Sequence, residues 1–134
     1  NGLVKTYGPN GKELVALGAT TEGDGAVRTY GPNGKELVEL GATTSGNGLV
    51  KTYGPNGKDL VKLTSTTDGE GAVKTYGSNG KDLVVLGAID NGGAIEVYNK
   101  TGEGIATMYA DEYGNGVVGA WNRKGKGRTL KPGP

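Results

Sequence analysis

Asp24, Asn47, Glu70, Gly92 and Asn115 stand at one recurring place in the chain, inside glycine-flanked stretches such as GDG (Gly23 to Gly25) and GNG (Gly46 to Gly48). Carboxylates and turn carbonyls are hard oxygen ligands, so this column is the natural place to look for calcium. A ladder of calcium sites needs more acid than Asp24 and Glu70 provide, and the expected role is a turn residue bonded to its own backbone. The stretch GPNGK (Gly8 to Lys12) has the glycines and the lysine of a phosphate-cradling loop, but not the helix and Ser/Thr that complete one. Asp90, Asp111 and Glu112 are the acids outside regular places. Glycoside hydrolysis would need two of them to converge to about 5–9 Å; with no long loop or cleft-forming helix, they read as solvated surface acids. With no His and no Cys, the chain lacks an imidazole base, a zinc ligand set and a thiolate nucleophile. No catalytic residue, metal site or cofactor is expected, and the protein reads as a non-enzyme.

Two features could bind rather than react. Trp121 and Tyr98 could stack on a sugar ring, although a tryptophan also suits a cap over the open end of a fold. Arg123, Lys124, Lys126, Arg128 and Lys131 form a basic run without an acid. They read as a solvated capping segment that discourages edge-to-edge stacking, ahead of a grip on an anionic surface.

The chain of 134 residues has 28 glycines, no Phe and 34% hydrophobic residues, so one copy can bury only a thin core. Fifteen basic side chains against fourteen acidic ones make nucleic acid a poor partner. No apolar run reaches the roughly 18–20 residues of a membrane span, so membrane insertion is not expected. The opening Asn1 suggests a portion of a longer protein.

What must position these residues is a repeat. TYGPNGKELV occurs at Thr6 to Val15 and again at Thr29 to Val38, and TYGPNGKDLV at Thr52 to Val61. Tyr7, Tyr30, Tyr53, Tyr76, Tyr98 and Trp121 mark six units 22 or 23 residues apart. They span about 1–23, 24–46, 47–69, 70–91, 92–114 and 115–134 within a single repeat domain. Each reads as two strands, such as AVRTY (Ala26 to Tyr30) and KELVELGA (Lys35 to Ala42). Between them GPNG predicts a type I turn closed by a glycine at φ > 0 with a G1 bulge. The shorter stretch IDNGG (Ile89 to Gly93) predicts a shorter loop. The fold class is therefore all-β, an antiparallel meander of six hairpins.

Period-two alternation gives the sheet one apolar face. Its members are Val4, Thr6, Val15 and Leu17 in the first unit; Val27, Thr29, Val38 and Leu40 in the second; Val50, Thr52, Val61 and Leu63 in the third; Val73, Thr75, Val84 and Leu86 in the fourth; and Ile95 and Val118 beyond. Lys5 and Tyr7 lie on the other face, with the variable column Ala16, Glu39, Lys62 and Val85. Twelve strands at about 4.8 Å would extend roughly 58 Å, too wide for an open sheet with one bare apolar face. Either the chain closes on itself, as a trefoil-like or propeller-like monomer, or it packs against copies of itself. A homotrimeric β-prism with the apolar faces on a shared axis is the expected solution.

The pattern in GAVRTYGPNGKELVELG (Gly25 to Gly41) resembles β-hairpin repeats found after trimeric coiled coils in bacterial cell-surface proteins, and the closing GNGVVGAWNRKGKGRTLKPGP looks like the terminal unit of such an array. The resemblance implies an extracellular or cell-surface trimeric stalk or display head, and no chemistry. The core Y-x-x-x-G-[KR]-x-[LV] is also similar to YD repeats, although Gly8, Gly31, Gly54 and Gly77 stand where those carry Asp or Asn and only Asn99 and Asn122 fit. The 23-residue period is shared with MORN repeats, whose second aromatic column is missing. The functional expectation is a rigid structural module whose partner is itself. The rival is a multivalent glycan-binding protein built on the Tyr–Lys columns; an engineered symmetric scaffold is a third reading.

Overall fold

The computed structural model describes residues 2–132; Asn1, Gly133 and Pro134 lie outside them. Two compact units contain the chain, Asn1–Ser65 and Thr66–Pro134. The first holds β1 (Val4–Tyr7), β2 (Glu13–Ala19), β3 (Gly25–Tyr30), β4 (Glu36–Ala42), β5 (Gly48–Tyr53) and β6 (Asp59–Ser65). The second holds β7 (Gly71–Tyr76), β8 (Asp82–Ile89), β9 (Gly92–Tyr98), β10 (Gly104–Ala110), β11 (Gly116–Trp121) and β12 (Gly127–Leu130). The strands form one antiparallel meander sheet in sequential order.

The hairpin tips have the geometry that GPNG predicts. Gly11 N donates to Gly8 O at 2.9 Å, closing a four-residue turn, and Gly8 N donates to Lys12 O at 2.8 Å. The Asn10 Oδ1 accepts from Lys12 N at 3.1 Å, so the side chain satisfies a donor the turn would otherwise leave open. The return loops repeat this device with different residues. Gly23 N donates to Thr20 O at 3.1 Å and Thr20 N to Asp24 O at 2.7 Å, while Thr20 Oγ1 accepts from Asp24 N at 3.1 Å. Only the β8–β9 loop departs among these turns: Ile89 pairs with Gly92 across the two residues Asp90 and Asn91, the shorter connection expected at IDNGG.

Gly34 sits at φ +81°, in the left-handed region where a Cβ strains the backbone. Gly34→Ala is expected to destabilise by about 1 kcal/mol, roughly 4 °C in Tm. Gly48→Ala, at a strand start with open space around the new methyl, is expected to change Tm little. Thermal unfolding of the two variants side by side checks the turn geometry, and equal Tm values would refute it.

Register fixes the two faces. Val4 pairs with Leu17 and Thr6 with Val15; Val27 with Leu40 and Thr29 with Val38; Val50 with Leu63 and Thr52 with Val61. In the second unit Val73 pairs with Leu86, Thr75 with Val84, and Met108 with both Ile95 and Val118. Directly paired residues share a face, so the columns expected on one side form continuous aliphatic rows there. These rows are only half covered: Leu17 is 49% exposed, Leu40 44% and Leu63 45%. The buried apolar side chains among the described residues are Ala26, Ala72 and Val117. Their register places them opposite the aliphatic rows, on the face that carries the tyrosines.

One irregularity recurs. Each first-strand tyrosine in the first four repeats pairs across a bulge, Tyr7 with Glu13, Tyr30 with Glu36, Tyr53 with Asp59 and Tyr76 with Asp82. Strict alternation from Val15 would send Glu13 to the aliphatic face. The extra residue re-aims it, and Glu13 meets Lys5 on the tyrosine face at 2.6 Å.

Candidate functional site

The tyrosine face is built by two registers. In one, Lys5, Arg28, Lys51 and Lys74 lie in the middle of the first strands; in the other, the bulges deliver Glu13, Glu36, Asp59 and Asp82 beside the tyrosines. Ion pairs follow at Lys5–Glu13 (2.6 Å), Arg28–Glu36 (3.3 Å), Lys51–Asp59 (3.6 Å) and Lys74–Asp82 (3.4 Å). Arg28 also donates through Nη2 to Glu39 Oε1 at 2.7 Å, and Tyr53 Oη to Glu39 Oε2 at 2.7 Å. Lys51 Nζ stands 5.9 Å from the centre of the Tyr53 ring, within cation–π range. The cations of the Tyr–Lys columns on which a multivalent glycan reading rests, and Tyr53 among the tyrosines, are thus engaged with carboxylates of their own chain.

Glu36 and Glu39 respond to this setting in opposite ways. Burial, then the neighbouring Glu39, pushes the Glu36 carboxyl up, and its shielded Oε1 accepts no hydrogen bond among the described residues. Burial also opposes ionisation of Glu39, but bonds from Arg28 and Tyr53 outweigh it and hold that carboxyl below the usual glutamate range. The stability that Glu39 contributes is present above the unfolded-state pKa of about 4.3 and lost as pH falls through its folded value. The Glu36 contribution has the other sign, present below the unfolded value and lost as pH rises through the folded one. Glu36→Gln is expected to raise Tm at pH 7 and steepen the loss on acidification, whereas Glu39→Gln lowers Tm at pH 7 and flattens the acid limb. Melting curves between pH 3 and 7 read both; parallel shifts in the two variants would refute the assignment.

In the last two repeats the pattern of charges is removed. Glu96 and Gly119 occupy the cation column, and Gly104 and Gly127 stand opposite Tyr98 and Trp121 where the earlier repeats carry an acid. The space left is a cavity of about 400 Å³ lined by Ile89, Ala94, Glu96, Tyr98, Gly104, Ala106, Thr107, Tyr109 and Trp121. The Trp121 indole lies flat over the sheet. A methyl group at Gly119 would come within 2.8 Å of its Cζ2, and one at Gly127 within 2.6 Å of its Cγ, so the two glycines form the seat for the ring. Tyr98 Oη donates to Glu96 Oε2. That bond, with burial, pushes the Tyr98 phenol up to about 12. Thr107 Oγ1 donates to Ile95 O at 3.2 Å.

The two aromatic residues singled out in the sequence, Tyr98 and Trp121, therefore line one cavity. Tyr109, Glu96 and Thr107 join them there without having been singled out. The signal that points to them is in the columns: the acid position reads Glu13, Glu36, Asp59, Asp82 and then Gly104 and Gly127.

The other candidates are brought into turns. Asp111 Oδ1 accepts from Tyr113 N at 3.0 Å and Asn115 N at 2.9 Å, and these backbone bonds, that from Asn115 foremost, hold its carboxyl below the usual range. Its Oδ2 lies 3.8 Å from Lys131 Nζ, which ties the C-terminal basic run to the acid of another turn. Among the described residues no three of His, Cys, Asp or Glu converge as a metal site. The lysine of the second-repeat GPNGK spans to the next hairpin tip instead of addressing a phosphate, with Lys35 Nζ donating to Pro55 O. No family model matches this chain, and no curated protein matches it.

Proposed function

We propose that this chain is a non-enzymatic structural module which assembles with two copies of itself, burying the three aliphatic faces on a common axis as a trimeric β-prism. Its role in this reading is a rigid stalk or display head of an extracellular, cell-surface or fibre protein. The observation that carries it is the mismatch between apolar content and burial. Each unit holds rows made mostly of Val, Leu, Thr and Ile on one face, and Leu17, Leu40, Leu63 and Leu86 remain 44–49% exposed there. An apolar surface of that continuity marks an association site in a folded protein. Threonine and β-branched residues are short enough for three flat faces to approach a narrow axis, and ladder hydrogen bonds supply stiffness along the array. Light scattering behind a sizing column at low micromolar concentration tests this. Three chains of 13.6 kDa, about 41 kDa together, are expected, and a particle of one chain's mass would refute it.

A further inference from the structure

We propose that the cavity between Tyr98 and Trp121 binds a neutral hexopyranose glycan, at a single site confined to the last two repeats. The site lies on the face opposite the aliphatic rows, so it is independent of how the chain assembles. Its floor is Gly104, and its walls are the phenol of Tyr98 on β9 and the indole of Trp121 on β11, two strands apart and so about 10 Å between backbones. Indole seated on Gly119 and Gly127 is held before any ligand arrives, which lowers the ordering cost of stacking. Pyranose rings with equatorial hydroxyls present axial C–H bonds on a flat face, the surface such an aromatic plane accepts.

The polar groups define the rest of the ligand. Glu96 accepts from Tyr98 through Oε2 and lines the cavity wall, where carboxyl oxygens can accept from sugar hydroxyls. Thr107 donates to the Ile95 carbonyl and retains lone pairs for a hydroxyl donor. Among the described residues no Lys or Arg lines the cavity. A lone carboxylate without a cation repels uronates, sulfated sugars and other anions. Ile89, Ala94 and Ala106 complete an apolar lining, and the volume of about 400 Å³ falls within the range of small-ligand sites.

The four earlier repeats supply the control that separates ligand binding from folding. At the position of Gly104 they carry Glu13, Glu36, Asp59 and Asp82, each beside its tyrosine. Gly104→Glu should therefore be accommodated by the fold while filling the cavity floor and adding a second negative charge. Trp121 is the only tryptophan, so its fluorescence reports on the site alone. The intact chain would be titrated with cellohexaose, N-acetylchitohexaose and mannohexaose, with hexagalacturonate as the anionic comparison and calorimetry as a second readout. A saturable response to at least one neutral hexaose is expected, weakened tenfold or more in Gly104→Glu at unchanged circular dichroism and unchanged particle mass. No response to any of the three neutral hexaoses in either readout would overturn the proposal. So would equal binding of hexagalacturonate, or an unaltered affinity in Gly104→Glu.

Discussion

If the chain assembles as the proposed trimer, replacing both Leu40 and Leu63 by lysine is expected to convert a particle of three chains into single folded chains. Both leucines sit in the row Val27, Leu40, Val50, Leu63 on β3 to β6, with roughly half their surface still open at 44% and 45%. Burying the remainder of a leucine on association contributes about 1 kcal/mol. Across two positions in three copies that is about 6 kcal/mol, or roughly 10⁴-fold in the assembly constant. Six ammonium groups drawn toward one axis would add desolvation and mutual repulsion. Within a single chain the same lysines can extend their charged ends into water, so the hairpin signature in circular dichroism should persist. Lys62→Leu tests the opposite face: Lys62 pairs with Lys51 there, and the mass should not change. If the double variant keeps the mass of three chains, the shared axis is not the aliphatic face.

The aliphatic rows were legible because nothing interrupts period two between Val15 and Ala19 or between Val4 and Tyr7. The turns were legible for a different reason, since few residues besides glycine tolerate the backbone at Gly11 or Gly34. The bulge beside each tyrosine was not legible. Counting alternately from Val15 places Glu13 with the valines, whereas the extra residue puts it against Lys5. Every bulge-delivered ion pair on the tyrosine face descends from that slip, so an outer surface that reads as merely solvated becomes a polar network around Arg28, Glu39 and Tyr53. The cavity escaped for a related reason. Columns that persist define a repeat, and the Tyr98–Trp121 site arises where Gly104, Gly119 and Gly127 end the columns of charge. Divergence of the last two repeats reads as decay or capping until the register shows that the lost side chains all faced one place.

The same register makes Gly119 the position where a single methyl group should cost most, and where the sign of that cost can be reversed. Gly119 is buried and pairs with Thr107 on one side and Thr129 on the other. Its φ lies outside the left-handed region, and the corresponding residues Lys5, Arg28, Lys51 and Lys74 show that the backbone here carries long side chains. What excludes a Cβ is the Trp121 benzo ring, whose Cζ3 would lie 2.9 Å away. Gly119→Ala is therefore expected to lift the indole off its seat and destabilise by about 3 kcal/mol, at the upper end of overpacking effects. In a Trp121→Ala background the clash is gone, and the same substitution should become neutral or stabilising by about 0.5 kcal/mol through the lower entropy of the unfolded chain. Urea unfolding of the four proteins measures the coupling, expected near 3 kcal/mol against the few tenths typical of unconnected sites. Additive effects would mean that the ring does not rest on Gly119. A reversal of sign would fix the indole on its glycine seat by thermodynamics alone, and would show that the last repeats exchanged their charges for a preorganised aromatic surface.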